Sequence, residues 1–223
     1  MARPHPVSGG PAGGHDEDAG DPAREGVGVG PHPGPWPADP RLDPELLAGG
    51  DRRNVADRYR YWRVEAIAAD LAARARPVHV AVENLQHDFN IGSIVRTANA
   101  FGAAGVHIVG RRRWNRRGAM RTEAYLAVHH HDDLPALTAW AGRAGLPIVG
   151  VDNLPGAVDL RDVALPAAVV LLLGQEGPGL SPAAREAVDA VAAIPQVGST
   201  RSINAGAAAA IALWEWVRRH DPR

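Results

Sequence analysis

The chain has 223 residues, enough for one domain with a single good core, carries a formal net charge of −1 and contains no cysteine. That composition excludes disulfides, thiolate metal sites and cysteine nucleophiles, and it offers no global positive charge for a polyanion. No N-terminal apolar segment has signal-peptide character and no run of about 20 apolar residues is free of charge, so a cytoplasmic protein without a membrane span is expected.

Residues 1–50 hold 11 Gly and 10 Pro and few large apolar side chains to offset the entropy of ordering; they are read as a largely disordered tail. Trp36 within it is read as an incidental aromatic. Residues 51–77 read as an N-terminal helical segment, with Val55, Tyr59, Trp62, Ala66, Ala69 and Ala73 recurring at spacings of three and four from Arg52 to Arg76, and Pro77 ending it. Tyr59 and Trp62 are assigned to packing of that helix. Residues 78–223 follow as the main domain.

Within it PVHVAVEN is a buried strand, residues 90–103 a helix with Asn90 placed as its cap, and VHIVG (106–110) a second strand. DLPALTAWAGRAG (133–145) is a helix closed by Gly145, and LPIVGVD (146–152) and AAVVLLLG (167–174) are strands. SPAAREAV (181–188) is a short helix capped by Ser181, VAAIP (191–195) a strand, and 204–219 an Ala-rich closing helix. Strands alternating with helices imply an α/β fold with a parallel sheet and flanking helices. Ligands of such sheets gather at the loops leaving the C-terminal strand ends, and three of those loops carry unusual residues.

The first is ENLQHDFNIGSIVRTANAFG (83–102), where Asn90 begins a helix, Gly92 permits close backbone approach, and Arg96 lies six residues on. That separation is roughly 600° of helical turn, so Asn90 and Arg96 do not share a face. Alone, this motif reads as a cap and a surface arginine. The second, LLLGQEGPGLSP (171–182), places Glu176 on a glycine-rich turn after a wholly apolar strand, without the Gly-Lys-Ser/Thr ending of a phosphate loop. The third, IPQVGSTRSINAGAAAAIALWEW (194–216), sets Ser202 and Asn204 before a helix of very small residues; alone, it reads as a helix cap.

In this order the three resemble the SpoU/TrmH family of RNA ribose 2′-O-methyltransferases, of the SPOUT superfamily, over about residues 78–219. The family pattern Asn-x-Gly-x-x-x-Arg is matched by Asn90, Gly92 and Arg96, Gly-x-Glu-x-x-Gly by Gly174, Glu176 and Gly179, and Ile-Pro…Ser-x-Asn by Ile194, Pro195, Ser202 and Asn204. The resemblance implies a C-terminal deep trefoil knot, which periodicity could not reveal, and a homodimer packed through helices flanking it. It implies S-adenosyl-L-methionine as cofactor, held around Leu173, Gly174, Ile194 and Ile203, and tRNA or rRNA as partner. Asn90, Arg96, Glu176, Ser202 and Asn204 become the catalytic set. Arg96 is the general base in the family, although a guanidinium is nearly always charged; binding of the neighbouring phosphate is the second role open to it. No metal is required.

Arg111, Arg112, Arg113, Arg116 and Arg117, with Arg121, fall within eleven positions around Trp114 and are assigned to RNA phosphates, with Trp114 as a stacking surface; a solvated loop is the plain alternative. His129, His130, His131, Asp132 and Asp133 invite a metal reading, but three adjacent residues share no face, and a solvated loop is expected there. Two rival functions share the fold: a knotted methyltransferase acting on an RNA base, and a catalytically idle RNA-binding module. The Asn90/Arg96 pair argues against the first, and the presence of all five polar site residues against the second.

Overall fold

Seven parallel strands in the order β3-β2-β1-β6-β4-β7-β5 form the sheet of the protein: β1 is Arg76–Asn84, β2 Ala103–Gly110, β3 Val128–His131, β4 Ile148–Val151, β5 Val158–Asp159, β6 Val169–Leu173 and β7 Ala190–Ala193. The computed structural model describes residues 28–84, 90–175 and 177–221. They fall into two compact units, one of residues up to Pro37 together with Pro44–Tyr61, the other of Ala38–Asp43 together with Trp62 onward. Each is described by itself.

The first unit departs from the sequence reading. The expected disorder of residues 1–27 lies outside the described residues, but 28–50 carry helix α1, Pro44–Gly49, and an antiparallel bridge between Val29 and Asp51. The long helix expected from Arg52 to Arg76 does not form. Instead Asp57–Tyr59 is a single 3-10 turn, Tyr61 adopts φ 63, and regular helix begins only with α2, Val64–Ala73. The physical reason is Asp51. Its fully buried carboxylate accepts the Arg53 and Tyr61 backbone N–H groups, each at 3.0 Å, and pairs with the Arg53 guanidinium at 2.7 Å. Side-chain-to-backbone bonds of this kind compete with helix, and periodicity does not register them. Tyr59 is buried in this unit as expected. Trp62, in the second unit, is half-buried beneath Arg41, whose guanidinium carbon lies 4.2 Å from its ring centre.

In the second unit the sheet is covered on both faces. Helices α3, Ile91–Ala100, and α6, Ala205–His220, pack on Val80, Val82, Ile108, Val169 and Leu171; α4, Leu134–Ala144, and α5, Pro182–Ala187, pack on Ala81, Val109, Val170 and Leu172. Burial on both faces explains why β6 is apolar at every position rather than alternating. Helix ends follow their capping residues. Asp133 accepts the Ala136 N–H at 2.8 Å, Ser181 accepts that of Ala184 at 3.1 Å, and Gly145 closes α4 at φ 66.

The histidine run corrects a second expectation: residues 128–131 are not a solvated loop but edge strand β3. His129 and His131 alternate onto one face, where His107 of β2 and His79 of β1 continue the row. His79 Nδ1 lies 3.0 Å from His107 Nε2, and His107 Nδ1 lies 2.9 Å from His131 Nε2, with the Trp140 ring 4.0 Å from His107. The unfavourable adjacency seen in one dimension is relieved by partners on neighbouring strands. Burial, then the neighbouring imidazoles, push His107 down to about 2, and burial with His129 pushes His79 down to about 4, against an ordinary 6.5.

Both groups take up protons more readily in the unfolded chain. Stability is therefore full above about pH 6.5 and is lost as the pH falls toward 4. For His107 the slope approaches about 1.4 kcal/mol per pH unit. Melting temperatures measured from pH 7 to 4.5 are expected to fall steadily, and His107→Leu to remove about half of the slope that these two histidines supply, His79 keeping the rest. An unchanged slope in the variant would exclude His107 as one of its sources.

Candidate active site

The C-terminal ends of β4, β6 and β7 open onto one pocket of about 450 Å³. Leu173, Gly174, Ile194, Ser202, Ile203 and Asn204, named from the sequence, all line it, so segments up to 31 positions apart meet in one cavity. Asp152, Gln175, Gln196 and Arg201 also line it and were not anticipated.

Close packing of main chain shapes the floor. A Cβ on Gly174 would fall 2.1 Å from the Gly179 carbonyl carbon and 2.2 Å from the Leu180 nitrogen. The turn above β6 is therefore folded onto Gly174 itself, closed by Gln175 N–H to Gly179 O at 2.9 Å and Gly179 N–H to Gln175 O at 3.0 Å. Gly179, at φ 73, lies against Asp152, whose carboxylate an added Cβ would meet at 2.3 Å.

Two carboxylates hold the end of this turn. β6 lies between β1 and β4, and each neighbour sends one acid across. Asp152, just beyond β4, accepts the Leu180 N–H at 2.9 Å, and Glu83, near the end of β1 and 3% exposed, accepts the Ser181 N–H at 2.9 Å. These consecutive amides lie at the entry to α5, where a negative partner is favoured. Glu83 opens the first motif, so its position was visible in the sequence while its partner, 98 residues away, was not.

The first and third motifs meet through their asparagines. Asn204 Oδ1 accepts the Gly206 and Ala207 N–H groups at 2.9 and 3.3 Å, capping α6 as read from the sequence, while its Nδ2 donates to Asn90 Oδ1 at 2.7 Å. Asn90 stands at the N-terminus of α3 but makes no side-chain cap there. Its oxygen is turned to Asn204 instead, which corrects the capping role. The approach requires small residues, since a Cβ on Gly206 would meet Ser93 Oγ at 2.6 Å.

The arginine run is laid against the same helix. A Cβ on Gly92 would meet Ala119 N at 2.8 Å and Asn115 O at 2.9 Å. Asn84, the last residue of β1, donates to the Arg111 and Arg113 carbonyls at 2.5 and 2.9 Å, fixing where the run leaves the sheet. The side chains of Arg111, Arg112, Arg113, Arg116, Arg117 and Arg121 are exposed. Trp114, expected as a stacking surface, packs against the core, with Arg116 over its ring at 5.7 Å.

Not every expected residue joins the pocket. Arg96 is exposed on α3 and is not among its lining residues, and Glu176 lies outside the described residues. Among the described residues no group of three or more His, Asp or Glu is placed to hold a metal ion, and no helix is long and apolar enough to cross a membrane.

A parallel sheet with a ligand-sized pocket at its strand ends, walled by a glycine turn and a helix N-terminus, defines a small-molecule-binding α/β protein. The sequence pattern of the SpoU rRNA Methylase family matches residues 77–214, and the chain belongs to that family. It is 38% identical over 192 residues to a Mycolicibacterium vanbaalenii protein named an uncharacterized tRNA/rRNA methyltransferase, covering 81% of this chain and 60% of that protein. The chain thus spans less than two thirds of that relative. Among solved structures, it resembles the SpoU methyltransferase AviRb of Streptomyces viridochromogenes in complex with AdoMet (TM-score 0.58, 32% identity, 65% of this chain and 58% of that one). An AdoMet-bound rRNA methyltransferase from Sinorhizobium meliloti is similar at TM-score 0.58 and 29% identity, over 66% of this chain and 60% of that one.

Proposed function

We propose that the protein is an S-adenosylmethionine-dependent RNA methyltransferase acting on a ribose 2′-oxygen of tRNA or rRNA in the cytoplasm. The carrying observation is that the second and third motifs wall one pocket while the third motif's Asn204 is bonded to the first motif's Asn90. The family membership and the AdoMet-bound relatives support the cofactor. The residues fit it: Leu173, Ile194 and Ile203 provide apolar walls for a purine, and the turn on Gly174 brings main-chain groups to the cavity without intervening side chains. When bound there, the cofactor supplies a methyl group activated by its sulfonium.

The chain's own residues prepare the acceptor. The ribose oxygen forms a bond to the methyl carbon, the carbon–sulfur bond breaks, and the hydroxyl proton must leave. A guanidinium is charged across the neutral range and donates in a planar fork, so Arg96 is assigned to the phosphate beside the reacting ribose and to orientation of its hydroxyl, with the proton passing to water during or after attack. Asn90 and Asn204, joined at 2.7 Å, hold the α3 and α6 N-termini in register on the substrate side. Ser202 is assigned to shaping the loop before α6, and Glu176, by the family pattern, to positioning the ribose or Arg96. The exposed arginines from Arg111 to Arg117 give the electrostatic footprint for RNA phosphates.

The C-terminal segment from Ile194 to α6 is assigned to the chain crossing of a trefoil knot, and the active form to a homodimer. Ile211 and Trp214 of α6, 41% and 54% exposed, with Phe101 6.3 Å from the Trp214 ring, supply an apolar face for the second copy.

Nucleoside mass spectrometry of tRNA and rRNA from cells with and without the gene tests the reaction. One 2′-O-methylnucleoside is expected to disappear with the gene. Loss of a base-methylated nucleoside instead would reassign the acceptor, and no loss with no cofactor binding would remove the methyltransferase reading.

A further inference from the structure

The run from Arg111 to Arg121 holds six arginines and no acid, and its arginine side chains are exposed. Trp114 is packed against the core, which leaves Met120, 50% exposed, as the large apolar side chain that this basic surface presents to solvent. Its backbone is unusual. Three non-glycine residues among those described have positive φ, and two of them are Met120 (φ 50, ψ 40) and Arg121 (φ 65, ψ 10). The left-handed region is unfavourable for residues with a Cβ, and two in succession persist only where neighbouring contacts hold them.

Here both flanks are held. Ala119, fully buried, donates its N–H to the Arg116 carbonyl at 3.0 Å, and buried Thr122 donates its hydroxyl to the Ala119 carbonyl at 2.6 Å. With Ala119 and Thr122 fixed in the protein, the two left-handed residues between them form an exposed tip. Its place is fixed as well. Ala119 lies against Gly92 of α3, where an added Cβ would meet the Ala119 nitrogen at 2.8 Å, and Gly92 and Arg96 are four positions apart, on one face of that helix. The tip therefore sits beside the helical face that carries Arg96.

We infer that Met120 is a nucleobase-contacting residue: its side chain packs against the face of an unpaired RNA base close to the target ribose, while Arg117 and Arg121 take neighbouring phosphates. The inference rests on the RNA reading above and adds the side chain that meets a base. Arginines neutralise phosphate, and a polarisable thioether packs well on an aromatic ring. A base offers its face to such a side chain only where it is unstacked, so the partner is a single-stranded or looped stretch and not a duplex.

Fluorescence anisotropy of the full chain with a labelled oligouridylate, and with an abasic oligoribonucleotide of equal length, tests this. Met120→Ala is expected to weaken oligouridylate binding by roughly 3- to 10-fold and to leave abasic binding unchanged. Met120→Leu is expected to recover most of the loss. Met120→Gly, which fits the left-handed backbone, is expected to bind like Met120→Ala while melting no lower than the parent. Arg117→Ala/Arg121→Ala is expected to weaken binding of both strands and to flatten the slope of log affinity against log salt by about 1.4. Parent-like binding of oligouridylate by Met120→Ala would overturn the inference, as would an equal loss on the abasic strand or a changed oligomeric state in light scattering. A lower melting temperature for Met120→Gly would assign the side chain to the fold and overturn it too. A parent chain that binds neither strand would also overturn it, whereas the RNA reading itself falls only if no methylated nucleoside disappears with the gene.

Discussion

Gly174→Ala is expected to weaken S-adenosylhomocysteine binding by at least about 100-fold, a loss of roughly 2.7 kcal/mol. The cause is steric. The added methyl would lie 2.1, 2.2 and 2.5 Å from Gly179 C, Leu180 N and Gly179 O, all backbone atoms that no rotamer change can move. The chain can relieve the overlap only by lifting the turn between Gln175 and Gly179. That movement breaks the paired bonds across the turn and draws Leu180 from Asp152. Gly198→Ala is the matched control, since nothing lies within 4 Å of a Cβ there, and it is expected to bind within about twofold of the parent. Titration calorimetry on both variants, with thermal denaturation to follow the fold, decides the matter. Tight binding by Gly174→Ala would mean that the turn does not form the floor of the cofactor pocket.

Arg96→Ala is expected to lower the transfer rate by about 100- to 1,000-fold, the usual effect of removing one charged group aimed at a reacting centre. Cofactor affinity should stay within about twofold of the parent, because Arg96 is exposed on α3 and does not line the pocket. Six residues separate it from Asn90, about 9 Å along a helix axis, so the bonded asparagine pair should survive its loss. Arg96→Lys keeps the charge without the planar fork and should recover only part of the rate. Single-turnover methylation measured beside calorimetric affinity separates the two effects. Near-normal turnover in Arg96→Ala would remove Arg96 from the mechanism, and parallel losses of rate and affinity would place it in cofactor binding instead.

Strands β1, β2, β4 and β6 were legible because each is largely buried and β-branched or leucine-rich, and the helices of the second unit because Asp133, Ser181, Asn204 and Gly145 carry local capping chemistry. Two elements were misread for one reason. Asp51 bends the chain between Arg53 and Tyr61 through bonds to backbone groups up to ten positions away, and β3 becomes a strand because His107 of β2 offers its histidines a partner. Neither cause lies within the window that periodicity samples. Asn90 shows the same limit at the site. Its position before α3 suggests a cap, yet the bond it makes is to Asn204, 114 residues on.

By itself the sequence determined the α/β class, the order of the main strands and helices, and the three motifs whose order marks the family, because strand burial, helix capping and glycine turns are local properties of a chain. Only the tertiary structure decided that the second and third motifs share one pocket, that Glu83 and Asp152 secure the glycine turn from the two strands flanking β6, and that Asn90 is bonded to Asn204. Those relations depend on parallel pairing, which brings distant strand ends side by side, and sequence spacing does not encode that adjacency.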